Sequence, residues 1–310
     1  MSKVKIVFSL IIFLNFSNTL HAQYERPGSS GGQFLGIGVS PRALGMGSAF
    51  ISVAEGAEAT YYNPAATIKV QKMDFAVTHT KWFANINHAF AAGVYNLGRM
   101  GAVGVLMTGL LTDEMEVRTP LQPDGTGETF YSGNYRFGVT YAYAMTDHVS
   151  FGGSLNYIYS SLYDNFTAHA VSTDIAVLFT TNYRNFNFAL KFENFGSELK
   201  FINEAYPLPT NFQFGLSMNA VEANDHTLLM SISAKKHNEG RPVGQLGAEW
   251  NFRKKLFLRG GYQLNSDIET YAFGAGFNMK LSNYLIRLDY SYSDFSLLGA
   301  SHRFGMGFAF

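Results

Sequence analysis

The sequence predicts an all-β fold: a transmembrane antiparallel β-barrel of about fourteen strands, with an N-terminal plug, or hatch, inside its lumen. Three observations carry that expectation. Segments about ten residues long, apolar on one side and small or polar on the other, recur from Met73 to the last residue, and strand side chains alternate between faces. Beyond residue 22 no apolar run is long enough for a helix to cross roughly 30 Å of hydrocarbon; the longest, 101–111, is broken by Thr108. Charged residues are 15% of the chain and aromatic residues another 15%, whereas a soluble domain carries about 25% charge. Such a surface suits lipid better than water.

The chain opens with Lys3 and Lys5, an apolar run over 6–16, and Leu20-His21-Ala22. A basic start, an apolar centre and a small-residue end make residues 1–22 a signal peptide, expected to be cleaved after Ala22. The apolar run is too short to persist as an anchor helix. The signal carries two lysines and no acid, so the remaining chain is slightly acidic. That argues against nucleic acid as a partner, which needs a strongly basic face. The chain has no cysteine, so neither disulfides nor thiol chemistry enter.

Residues 23–72 are rich in Gly, Ala and Ser and show little alternation. Gly45 and Gly47 permit close backbone approach or positive φ, and residues 43–59 are small enough for a confined space. Too few large apolar residues are present for a separate core. The segment is therefore expected to plug the barrel formed by residues 73–310.

The barrel segments run near 73–82, 87–96, 101–108, 134–144, 149–160, 168–180, 184–194, 209–219, 225–236, 242–252, 255–264, 269–279, 283–294 and 301–310. The first three alternate weakly. Among the clearest, Tyr271, Phe273, Ala275, Phe277 and Met279 oppose Ala272, Gly274, Gly276 and Asn278. In the last segment Phe304, Met306, Phe308 and Phe310 oppose Arg303, Gly305, Gly307 and Ala309; this strand is expected to serve barrel assembly. Even-numbered links such as Arg253-Lys254 are tight, and odd-numbered ones such as 109–133, 161–167 and 195–208 are longer, the first link excepted. Short periplasmic turns and long outer loops are the outer-membrane pattern. Aromatic residues near segment ends, including Trp82, Phe83, Trp250 and Phe252, suit the headgroup level.

Lys191, Glu193, Glu249, Arg259, Arg287 and Asp289 fall on small-residue faces, which a barrel turns inward. They are expected to form an ion-pair network that holds the plug, because unpaired burial is costly; a solute-selecting lumen is the alternative. Two loops could carry contacts. One is 109–133; the other is 195–208, whose Phe201, Ile202 and Tyr206 suggest protein docking or, folded inward, a seal. No catalytic motif and no Cys/His metal spacing is present, so no enzyme activity, cofactor or metal is expected. His79 and His88 could meet across the first hairpin, but lumen or rim positions are the plainer expectation. Ser301 and His302, being neighbours, point to opposite faces.

The run PRALGMGSAFISVAEGAEATYYNPAA, residues 41–66, resembles the N-terminal signature of the PorV/PorQ family of outer-membrane barrels. That family occurs in Bacteroidetes-type bacteria and is related in fold to the FadL fatty-acid transporters; residues 246–263 share the likeness. The broader group carries an Asn-Pro-Ala motif in its hatch, matched here by Asn63, Pro64 and Ala65 after Tyr61 and Tyr62. The resemblance implies an outer-membrane component of type IX protein secretion, binding the translocon and/or cargo C-terminal signal domains through its extracellular loops. Its implied partners are outer-membrane lipid, a secretion translocon, secreted cargo proteins and the barrel-assembly machinery. The alternative is a FadL-like channel for hydrophobic small molecules, with the plug as gate.

Overall fold

The computed structural model describes residues 27–83, 86–163, 166–266, 269–295 and 299–310; the expected signal peptide, 1–22, lies outside them. Fourteen strands close into one antiparallel ring. In chain order they are β1 (Met73–Lys81), β2 (Asn87–Asn96), β3 (Ala102–Leu111), β4 (Gly133–Ala144), β5 (Val149–Tyr163), β6 (Phe166–Thr180) and β7 (Asn187–Gly196). They continue as β8 (Asn211–Glu222), β9 (His226–His237), β10 (Val243–Phe252), β11 (Leu256–Leu264), β12 (Tyr271–Leu281), β13 (Tyr284–Asp294) and β14 (Ala300–Ala309). Each pairs with its sequence neighbours, and β14 returns to β1 with Asp74 opposite Ala309 and Lys81 opposite His302. Closure leaves no open sheet edge, as a wall immersed in lipid requires.

The faces sort as the period-two pattern predicts. Phe273, Phe277, Leu288, Phe304 and Met306 are exposed on the outside, while Arg259, Ser291, Ser293 and Arg303 are buried. No helix among the described residues is long and apolar enough to cross a membrane. An outer wall this apolar is stable only against acyl chains.

In β2 and β3 the inward residues Phe90, Val94 and Leu106 are themselves apolar. They pack in one cluster with Val39, Ala57 and Tyr61 of the N-terminal segment. This is why alternation is weak there: both faces need apolar residues. The strands also outrun their expected ends. Residues expected as the loop 161–167 pair as strand, Ser161 with Thr167 and Tyr163 with Phe166, and β3 extends to Leu111.

The register of the wall shifts at three places among the described residues, at 161–163, 173–175 and 219–221; the second bears on the lumen. Between β6 and β7 the pairing steps from Thr173–Phe195 to Ile175–Phe192, so Glu193 and Asn194 together face Asp174. Asn194 takes a positive φ of 59°. This is a β-bulge, and the backbone N–H of Asn194 is satisfied by the Asp174 carboxylate at 2.8 Å. On the other side β8 joins β7 only from Asn211, opposite Glu193.

Residues 27–72 contain two short helices, α1 (Pro41–Gly45) and α2 (Ala59–Tyr62), and 3-10 turns at Gln33–Gly36 and Pro64–Lys69. Ser40 caps α1 by accepting from the Ala43 N–H, with Pro41 in the first turn. The segment meets the wall on every side: Thr60 lies on Gly104 of β3, Ala65 on Gly152 of β5, Ile51 on Gly215 of β8 and Pro41 on Gly305 of β14. These contacts reach strands spread round the closed ring. Approach is closest where glycine meets glycine. A Cβ on Gly261 would sit 1.9 Å from the Gly47 nitrogen.

Candidate functional site

The Asn-Pro-Ala motif is a docking turn. Asn63 is fully buried; its Oδ1 accepts from the Ala65 N–H at 3.1 Å and its Nδ2 donates to the Ile51 carbonyl at 2.8 Å. Pro64 occupies the first position of the turn, where its missing N–H matters least. Ala65 is small enough to lie on Gly152, and Ser150 donates to the Ala65 carbonyl at 3.1 Å. The preceding tyrosines brace the segment from within. The Tyr62 hydroxyl accepts from the Val39 and Ser40 N–H groups at 2.9 and 3.1 Å, while the Tyr61 hydroxyl faces the Leu35 and Ile37 carbonyls.

Two sets of ion pairs tie this segment to the wall. In the first, Arg136 pairs with Asp174 at 2.7 Å, and Lys191 reaches Glu193 at 2.5 Å and the Tyr61 carbonyl at 2.6 Å. Arg136 and Lys191 also lie over the Tyr61 ring at 5.3 and 5.8 Å. In the second, Arg42 grips Glu249 with two bonds of 2.8 Å and also pairs with Glu55. Arg259 bridges Glu249 and Asp289 at 2.6 and 2.5 Å. Arg287 holds Asp74, which also accepts from the Ala57 N–H at 2.8 Å. The inward charges named from sequence therefore pair, Lys191 with Glu193 along β7 and the others across strands: Arg287 turns from its neighbour Asp289 to β1. Burial and the Asp289 carboxylate push the Glu58 carboxyl up from about 4.5 to about 7.

A hollow of about 220 Å³ lies between the segment (Ser48, Tyr61, Tyr62) and wall residues Glu193, Gln213, Lys235, His237 and Gln245. Its lining is polar. A second, about 650 Å³, opens at the short-turn mouth beside Arg42, Glu55 and Glu249. Outside the wall an apolar depression of about 570 Å³ sits at the bulge, lined by Ile175, Phe192, Phe195 and Phe212. Glu193 and His237 line both this depression and the 220 Å³ hollow, so the two flank the same side chains beside the bulge.

Of the other residues singled out from sequence, Phe304, Met306 and Phe310 are exposed on the outer wall and Phe308 is half-buried there. Phe310 touches the rings of Phe75 and Tyr284 beside the β1–β14 seam. In the loop after β7, Ile202 and Tyr206 are exposed at 63% and 41%. Phe201 turns inward against Phe34, Leu35, Leu199 and Leu208. The buried Leu199 and Leu208 escaped sequence reasoning; the only signal was their place at the base of the short ribbon formed by Leu199–Lys200 and Ala205–Tyr206. The loop thus packs Phe201 inward and leaves Ile202 and Tyr206 exposed. His79 and His88 do not meet: they are out of register by one, so His79 points outward and His88 is buried opposite Thr80. No cluster of potential metal ligands is found among the described residues.

No known family profile matches the chain, nor does any curated protein. Solved structures do. The Ralstonia pickettii toluene transporter TbuX superposes with a TM-score of 0.56 at 14% identity, over 88% of this chain and 97% of its own. The Pseudomonas putida toluene transporter TodX gives 0.56 at 12%, over 87% and 97%. A Pseudomonas aeruginosa FadL homologue gives 0.55 at 10%, over 88% and 98%. At these identities the likeness is one of fold. It does not show the PorV/PorQ membership that residues 41–66 imply.

Proposed function

We propose that this chain is an outer-membrane channel for small hydrophobic molecules, with residues 27–72 as its gate. The observation that carries this reading is that Glu193 and His237 line both an apolar depression on the lipid side and the polar hollow beside the N-terminal segment. A hydrophobic solute partitions first into lipid, and the register of the wall shifts at this bulge. The fold shared with two toluene transporters supports the same choice. The segment is held by ion pairs, close glycine contacts and apolar clusters shared with the wall, so its displacement would open the lumen.

A cross-link tests the gate. The Ser52 and Ser231 hydroxyls are 3.4 Å apart and the chain has no other thiol to interfere. In the Ser52→Cys/Ser231→Cys variant, oxidation fixes the segment to β9. Toluene uptake into proteoliposomes should fall on oxidation and recover with reductant; uptake equal to wild type in the locked form would sink the proposal.

A second reading, a protein-docking barrel of type IX secretion in a Bacteroidetes-type bacterium, draws support from the exposed Ile202 and Tyr206 at the long-loop rim. Its test is co-purification of translocon or cargo from the native membrane, abolished by Ile202→Ser/Tyr206→Ser.

A further inference from the structure

Four arginine and lysine residues are buried among the described residues: Arg136, Lys191, Arg259 and Arg303. The first three have acid partners. Arg303 has none. It is 0% exposed on the inner face of β14, and its Nε, Nη1 and Nη2 all lack an acceptor. Around it the hydroxyls of Ser291, Ser293 and Ser301 are equally buried and equally unpartnered. Ser291 is directly opposite Arg303, and Ser293 opposite Ser301, across the β13–β14 pair.

Unmet buried donors are costly, and a buried unpaired cation more so. Here a guanidinium fork and three hydroxyls converge on one patch of two strands. Glu269 is the acid whose field reaches Arg303, but it does not bond to it: one Glu269 oxygen is held by Gln263 and the other is unpartnered. Above the guanidinium the Trp82 ring lies at 4.8 Å. Trp82, Phe83 and Phe295 meet edge to face at 5.0–5.1 Å, closing the site toward the long-loop rim.

We propose that Arg303, with Ser291, Ser293 and Ser301, is a binding site for an oxyanion, a carboxylate or phosphate group, admitted when the Trp82–Phe83–Phe295 cluster swings aside. A guanidinium takes two oxygens of such a group in parallel, and the hydroxyls donate to the rest. The aromatic roof suits an acid with a small apolar body. The site lies apart from the bulge, and it stands whether or not the lumen conducts.

Trp82 is its own reporter. In a Trp250→Phe background, the folded barrel in detergent is titrated with benzoate, with toluene, which has a methyl in place of the carboxylate, and with inorganic phosphate. Benzoate or phosphate should change Trp82 fluorescence saturably: benzoate alone marks an organic acid, phosphate an inorganic anion. Arg303→Gln should weaken the response at least about tenfold, the loss of charged hydrogen bonds, and Arg303→Lys should keep part of it. Glu269→Gln, which removes the competing negative field, should tighten binding. If Arg303→Gln fails to fold, as judged by the migration of unheated samples, Ser291→Ala/Ser301→Ala carries the comparison. No response to either anion, a response equal in the Arg303 or serine variants, or toluene binding as tightly as benzoate would overturn the site.

Discussion

The Lys191 ammonium of β7 lies 2.6 Å from the main-chain carbonyl oxygen of Tyr61, joining the wall to the N-terminal segment. Tyr61 belongs to the last turn of α2, where unpaired carbonyls collect partial negative charge. The same ammonium pairs with Glu193, which Lys235 also holds at 3.1 Å. One wall cation thus serves both the helix end and the ion-pair set beside the bulge.

Replacing it should loosen the lumen. Lys191→Met leaves Glu193 short of one partner and the Tyr61 carbonyl without its donor, a loss of about 3–5 kcal/mol for a broken buried pair. Hydrogen exchange of residues 57–66 should rise sharply. Lys191→Met/Glu193→Gln should recover part of the loss, since no acid is then left under-paired.

Glycine contacts give a steric test with an internal control. A Cβ at Gly261 would collide with Gly47, whereas one at Gly260 meets nothing within 4 Å. Gly261→Ala should displace the segment and open Arg42 and Lys69 to trypsin. Gly260→Ala should leave the digest unchanged.

Packing of the segment should weaken with rising pH. Glu58 is raised to about 7 from about 4.5, so its neutral form is favoured in the packed state. Its contribution is fully present below about 4.5 and is lost as pH climbs through about 7. Hydrogen exchange of residues 38–62, corrected for intrinsic rate, should show less protection at about pH 8.5 than at about pH 5, either side of the raised value. Glu58→Gln should flatten the difference.

The docking turn has its own signature. Asn63→Ala removes a cap and a buried bond to Ile51, expected to cost about 1–2 kcal/mol. Asn63→Asp keeps the acceptor for the Ala65 N–H but turns a second carboxylate oxygen on the Ile51 carbonyl. It should not rescue. Urea-dependent proteolysis of residues 27–72, read separately from barrel unfolding, checks both.

The wall was legible because its rule is local. A pleated strand between lipid and lumen must alternate, so Phe304 and Met306 against Arg303 and Gly305 disclose their faces from ten residues of text. Fourteen such segments set the strand number, which link parity supported while separating the two rims. The same rule blurred β2 and β3, because Phe90 and Leu106 face an apolar part of the N-terminal segment instead of polar lumen.

What the sequence by itself determined is the closed, apolar-sided wall and the small-residue character of what precedes it, since both follow from periodicity and composition. Which inward group meets which was decided only by the tertiary structure. Lys191 and Tyr61 are 130 residues apart, Arg42 and Glu249 are 207, and Arg287 finds Asp74 across the seam where the last strand returns to the first. Ring closure and the path of the segment set those distances, and no period in the chain encodes them. The Asn194 bulge and the solitary Arg303 belong to the same class: each is defined by its neighbours on other strands, not by its neighbours in sequence.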